Sequence, residues 1–116
     1  MNDLAARSCA PIPQGTPPLT RAAVDEMLLK LDGGWAIGSD AASLRREFKF
    51  RDFFHTMSFV NALAHLANAE DHHPDLEVGY NYCRVRFSTH TVGGLSENDF
   101  ICAAKVDLIP YSEPAH

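Results

Sequence analysis

The stretch Leu76–His90, LEVGYNYCRVRFSTH, constrains the fold more than any other part of the chain. Cys83, Val85 and Phe87 share one parity, and Tyr82, Arg84, Arg86, Ser88 and His90 share the other. That alternation is the period of a strand with one apolar and one polar face. The run LEVGY precedes it, and Gly79 to Asn81 supply a turn, so the two runs read as an antiparallel hairpin. SLRREFKF repeats the pattern upstream, with Leu44, Phe48 and Phe50 set against Arg45, Glu47 and Lys49. WAIGSD reads as a short strand before it.

Helices separate these strands. Thr20 is placed to cap a helix running to Leu31, in which Val24, Met27, Leu28 and Leu31 recur at helical spacing before Gly33-Gly34 ends the run. Asp52 caps a long helix with a stripe of Phe53, Met57, Val60, Ala64 and Ala67, widened by Phe54, Leu63 and Leu66. Pro74 disfavours helical geometry at His73, so this helix stops shortly before the His72-His73 pair. Ser96 and Asp99 form a variant capping box for a final helix, DFICAAKVDL. The order αββαββα predicts an α+β fold, a four-stranded antiparallel sheet with helices packed on one face.

Residues 1–18 carry Pro11, Pro13, Pro17 and Pro18 and read as an extended arm, mobile or lying on the surface. Residues 19–110 form the domain and 111–116 a tail. A length of 116 residues and 46% apolar content suit one two-layer core. The formal charge of −5 argues against a phosphate-backbone or anionic-membrane partner, so neither nucleic acid nor membrane is expected. Cys9, Cys83 and Cys102 are odd in number and lack CxxC spacing. With no secretion signal or membrane span legible, a cytoplasmic setting is expected.

The chemistry available is imidazole. His72 and His73 leave the long helix and His90 ends a strand on its polar face, so all three can meet at one edge of the sheet. Imidazole titrates near neutral pH, and a cluster supplies both an acid and a base. Two readings of the pair stand side by side, capping of helix carbonyls and acid/base or ligand work. A zinc site is disfavoured, because adjacent histidines project apart and no cysteine is suitably spaced. His55 and His65 belong to the long helix as surface or partly packed residues, and His116 to the tail.

The segment DHHPDLEVGYNYCRVRFSTHTVGGLSEND resembles the signature of the pterin-4a-carbinolamine dehydratases: His-His-Pro, Tyr-Asn in the hairpin, Ser-Thr-His, then Gly-Leu-Ser-Glu-x-Asp. The likeness extends upstream through FKFRDF and Trp35 to the first helix, covering roughly Leu19 to Leu108. Carried over by that resemblance, the active-site histidines fall on His72, His73 and His90, an active-site aspartate on Asp99, and a tryptophan lining the pterin site on Trp35. Asp99 also has a plain role complementing a helix dipole, and Trp35 one as a core aromatic. Asn68 stands where some members carry a glutamate four residues before the first histidine.

The resemblance implies dehydration of a 4a-hydroxytetrahydropterin, produced when an aromatic amino acid hydroxylase uses its cofactor, to quinonoid dihydropterin and water. It implies a pterin substrate and neither metal nor redox cofactor. It also brings a second class of function, as a protein-binding dimerisation cofactor of a transcription factor or a Rubisco-assembly factor. A homodimer or dimer of dimers is expected, through the polar face bearing Arg84 and Arg86 and an apolar surplus of Phe100, Ile101, Ala104 and Leu108 on the last helix. Because proton transfer alone drives the implied reaction, turnover of the carbinolamine is expected to survive exhaustive chelation. Loss with chelator and recovery with zinc in the same assay would contradict it.

Overall fold

In the computed structural model, which describes residues 3–111, four strands form one antiparallel sheet in the order β1-β2-β4-β3. They are β1 (Ala36–Ile37), β2 (Leu44–Lys49), β3 (Asp75–Val78) and β4 (Tyr82–Phe87). The helices are α1 (Arg21–Leu28), α2 (Phe53–Glu70) and α3 (Glu97–Val106), with short 3-10 turns at Leu4–Ala6 and His90–Val92. From α1 to α3 the order is the expected αββαββα. His116, assigned to a tail, lies outside the described residues.

Register follows the parity of the side chains. Leu44 pairs with Phe87 and Phe48 with Cys83 across β2 and β4, and all four are buried beneath Phe59 and Leu63 of α2 and Phe100 and Val106 of α3. The opposite face is wet and charged. Arg84 lies between Glu47, at 2.7 Å, and Glu77, while Arg86 reaches Asp75 at 3.1 Å and Asp40 at 3.6 Å. Exposed pairs of this kind add little stability, but like charges in their place would oppose the register. In the hairpin Gly79 is obligatory, since an added Cβ would lie 2.1 Å from the Tyr82 ring.

Arg46 has the parity of the buried row, between Leu44 and Phe48. Its side chain is only 11% exposed; one guanidinium nitrogen lies 2.7 Å from Asp107 Oδ1, and the group stacks 4.2 Å from the Phe48 ring centre. A second guanidinium nitrogen donates to the Tyr111 hydroxyl at 3.3 Å, and the Tyr111 ring packs on Phe48, Phe50 and Phe59. Tyr111 is thus joined to the core rather than starting a tail.

Four expectations are corrected. α1 stops at Leu28, because the next residues tighten into i to i+3 bonds, Lys30 N–H to Met27 O and Leu31 N–H to Leu28 O. In α2 the buried face is Thr56, Phe59, Leu63 and Ala67, whereas Phe53 and Phe54 are 51% and 74% exposed. Apolar residues surround most of this helix, so several stripes compete, and the one carrying Phe59 faces the sheet. α3 leaves no apolar surplus: Phe100, Ile101 and Ala104 are buried within the chain, and only Leu108 stays exposed.

The fourth correction concerns the arm, which is neither mobile nor merely superficial. Leu4 is 1% exposed within the core, on a 3-10 turn packed against α3. Lys105 Nζ donates to Ala5 O at 2.9 Å, Arg7 pairs with Glu97 at 2.7 Å, and the Asn98 side chain bonds the Ala10 backbone in both directions. One leucine at the right place outweighs a composition poor in apolar residues, and the prolines reduce the entropy lost on ordering. Replacing Leu4 by Ala should cost about 2–5 kcal/mol in urea unfolding, the range of a buried leucine, where a loose arm would give no change.

Candidate active site

α2 ends where Asp71 adopts left-handed backbone geometry, φ 53° and ψ 41°, a conformation Asp tolerates better than most residues. His72 N–H then bonds Ala67 O at 3.2 Å and Asp71 N–H bonds Asn68 O at 3.3 Å, so the freed carbonyls of the helix are satisfied. Backbone amides do this work. The imidazoles are therefore not spent on capping, and the turn carries His72 toward the first turn of α3.

There His72 Nε2–H donates to Asp99 Oδ1 at 2.6 Å. The Asp99 side chain is fully buried, and its other oxygen accepts from Ser96 N–H at 2.9 Å and from Thr89 Oγ1–H at 2.8 Å. Thr89 Oγ1 also lies 2.8 Å from Ser96 Oγ. The imidazole lies parallel to the Phe87 ring, 8° from coplanar with centres 6.0 Å apart. Asp99 thus closes the capping box and holds His72.

The electrostatics of His72 is a contest. Burial pulls its pKa down, while the hydrogen bond and charge of Asp99, with smaller help from Cys9 and Asp71, push it up. The upward effects win, so the imidazole holds its proton at higher pH than an ordinary histidine. With Nε2 engaged by Asp99, Nδ1 is the nitrogen left to meet a ligand.

His72 lines a cavity of about 400 Å³, walled by residues 9–12 of the arm, residues 69–71 at the end of α2, and Thr89, Thr91 and Asn98. His90 is exposed on the 3-10 turn after β4 and lines a neighbouring hollow of about 230 Å³ with Arg86, Ser88 and Gly93. Thr89 borders both. His73 is exposed, lines neither hollow, and donates through Nε2 to Asn68 Oδ1 at 3.1 Å. Asn68 thus meets the second histidine of the pair, and Glu70 turns instead to the Cys9 N–H at 2.8 Å.

Trp35 borders neither hollow. It is 4% exposed, donates from Nε1 to Asp107 Oδ1 at 2.7 Å, and packs against Phe48 and Phe87. Its link to His72 runs through Phe87, whose ring touches both. Among the described residues, no three His, Cys, Asp or Glu side chains are grouped to hold a metal ion. His55 is tied into its own helix by Asp52 at 2.6 Å and Arg51 at 2.9 Å, away from these hollows.

Thr89, Ser96 and the arm residue Cys9 belong to this surround without having been singled out as site residues. Thr89 was detectable, since a polar residue continuing the buried parity of Cys83, Val85 and Phe87 needs a partner inside. The contribution of Cys9 rests on a tertiary contact 93 residues away in sequence, at Cys102, for which local pattern carries no signal.

The family model described as pterin 4 alpha carbinolamine dehydratase matches residues 17–109. A relative from Nitrosomonas eutropha, named putative pterin-4-alpha-carbinolamine dehydratase, is 51% identical over 92% of this chain and 93% of its own. One of the same name from Legionella pneumophila is 47% identical over 93% and 96%. A crystal structure of a transcriptional coactivator/pterin dehydratase from Brucella melitensis is 35% identical, with a TM-score of 0.73 over 77% of this chain and 94% of that one. A pterin dehydratase-like protein described as a RuBisCO assembly factor in the alpha-carboxysome is 27% identical, with a TM-score of 0.56 over 64% and 86%. With a family model matching residues 17–109 and relatives aligned over more than nine-tenths of its length, the chain belongs to the pterin 4 alpha carbinolamine dehydratase family.

Proposed function

We propose that this protein removes water from a 4a-hydroxytetrahydropterin, giving quinonoid dihydropterin, by histidine acid/base catalysis. The observation that carries the reading is the His72–Asp99 pair, a proton-bearing imidazole at the wall of a cavity, held by a buried carboxylate. The lone pair of a ring nitrogen expels the 4a-hydroxyl as the C–O bond breaks. The protein's task is to protonate the departing oxygen and take a proton from the resulting cation.

The roles divide by environment. His72, whose hold on its proton is strengthened by Asp99, orients the pterin through Nδ1 and shares in proton delivery. His73 and His90, both exposed, serve as donor and acceptor at the 4a centre. Asp99 acts through His72 as a positioning residue. Trp35 supports Phe87, against which His72 stacks, so it shapes the site from behind.

A second reading, protein binding, draws on exposed apolar side chains: Phe53 and Phe54 on α2, and Leu76, Val78 and Tyr80 along and beyond edge strand β3. These, rather than α3, offer a surface for a second copy or another protein. Such a role is compatible with turnover, and the activity assay separates it from a purely binding protein.

Direct assay of carbinolamine dehydration tests the proposal. Replacing His73 or His90 by Ala is expected to lower turnover at least about tenfold while the melting transition moves only a few degrees. The double variant should lose less than the product of the single losses, since acid and base serve one transition state. Parent rates in both single variants would overturn the donor and acceptor roles of His73 and His90, and a parent protein with no turnover above the uncatalysed rate would leave protein binding as the better account.

Asp99→Asn retains an acceptor for Ser96 but removes the charge facing His72. The His72 pKa, followed by NMR, should fall to or below the ordinary value near 6.5, because burial is then less opposed. If His72 delivers the proton, the alkaline limb of the rate profile moves to lower pH with it. In the parent, the folded pKa is raised, so the stabilising effect of the pair is complete below about pH 6.5 and is lost as pH rises through the raised value. Urea unfolding at stepped pH should show that loss, and Asp99→Asn should flatten it.

A further inference from the structure

Where the arm closes the cavity that holds His72, one of its contacts with α3 is a pair of cysteines. Cys9 Sγ lies 3.4 Å from Cys102 Sγ, and both are free thiols. Cys9 is half-buried at the cavity wall, while Cys102 is wholly buried in α3. A covalent bond needs the sulfurs about 2.05 Å apart, so they have to close by only about 1.4 Å. The backbone already holds them in register: Cys9 N–H bonds Glu70 Oε1 at 2.8 Å, and the Asn98 amide grips Ala10 on both sides of its peptide.

The two thiols are unequal. The hydrogen bond between the two sulfurs lowers the Cys9 pKa against the opposing effect of burial; the charge of His72 helps and that of Glu70 hinders. That same hydrogen bond and burial, with the charges of Glu70 and Asp99, raise Cys102 far above the ordinary range. Cys9 is therefore the accessible nucleophile and Cys102 the buried partner poised behind it. The third cysteine, Cys83, is buried in β4 with its thiol pushed up to about 11, and it supplies an internal control.

We propose that Cys9 and Cys102 are a redox modification site, oxidised by a hydroperoxide to a reversible disulfide that staples the N-terminal arm to α3 beside the His72 cavity. In the first step the Cys9 thiolate attacks the peroxide. An S–O bond forms, the O–O bond breaks, and the alkoxide or hydroxide leaves, taking a proton to become alcohol or water. Cys102 then gives up its proton and its sulfur attacks Cys9; the S–S bond forms, the S–O bond breaks, and water departs. Two thiols have lost two electrons and two protons to one peroxide. A dithiol reductant reverses the step by exchange.

This inference does not depend on the dehydratase reading, since its observables are a bond and a transition temperature. The full chain treated with stoichiometric hydrogen peroxide, then alkylated after unfolding and digested without reductant, is expected to yield one peptide pair linked Cys9 to Cys102, lighter by two hydrogens. Cys83 should remain alkylatable, and dithiothreitol should restore both thiols. Because the bond closes a loop of nearly the whole chain, the melting temperature should rise by at least about 5 °C. Cys9→Ser, a change on the half-buried arm, should abolish that rise. A Cys9 sulfinic acid or mixed disulfide with Cys102 still free, a link between two chains, no oxidation of Cys9, or an unchanged rise in Cys9→Ser would each overturn the proposal.

Discussion

The buried carboxylate of Asp99 is the constraint from which the rest of the site follows. With no side-chain surface exposed, an ionised Asp99 forfeits its hydration and is tolerated only if the protein replaces every contact with water. It does so from three directions: Ser96 N–H at the start of α3, Thr89 at the end of β4, and His72 where α2 gives way to β3. The N-terminal end of α3 adds its partial positive charge. One carboxylate thereby ties the two halves of the fold together at the point where the histidines emerge. The left-handed turn at Asp71 is part of the same arrangement, because a straight continuation of α2 would not bring His72 across to it.

How far this was legible in the sequence depends on whether a residue's partner is local. The hairpin, the capping residues Thr20 and Asp52, the Ser96–Asp99 box and the stop before His72-His73 all rest on contacts within a few residues, and their signals were readable. The face of α2 was not, because Phe53, Phe54 and Phe59 offer rival stripes and only the sheet decides among them. Leu4 and Tyr111 lie at the two ends of the described chain, and their partners are distant in sequence, on α3 for Leu4 and on β2 and α2 for Tyr111. Neither end has a periodicity from which packing could be inferred. The exit of the His72-His73 pair from the end of α2 was legible, whereas the separate settings of His72, His73 and His90 follow from tertiary partners.

Arg46 shows how a rule of alternation survives an apparent violation. A cation at a core parity would ordinarily argue against the strand, yet Asp107 and the face of Phe48 accept it, and Trp35 shares the same carboxylate oxygen. Asp107 sits at the C-terminal end of α3, where a negative charge is disfavoured by the helix dipole. Arg46 offsets that charge, and the three residues are best understood as one unit. Removing Asp107 leaves the buried Trp35 Nε1–H without its acceptor.

α3 is consequently pinned at both ends by a carboxylate, and the two pins differ in kind. At Asp107 the partner is a guanidinium. At Asp99 the partner is an imidazole whose proton can leave. Only the second can take part in proton transfer, and it is the one beside a cavity. The protein thus places its titrating group against a buried acid at the end of α3 that borders the cavity, where a change of its charge bears on the stability of the fold as well as on the site.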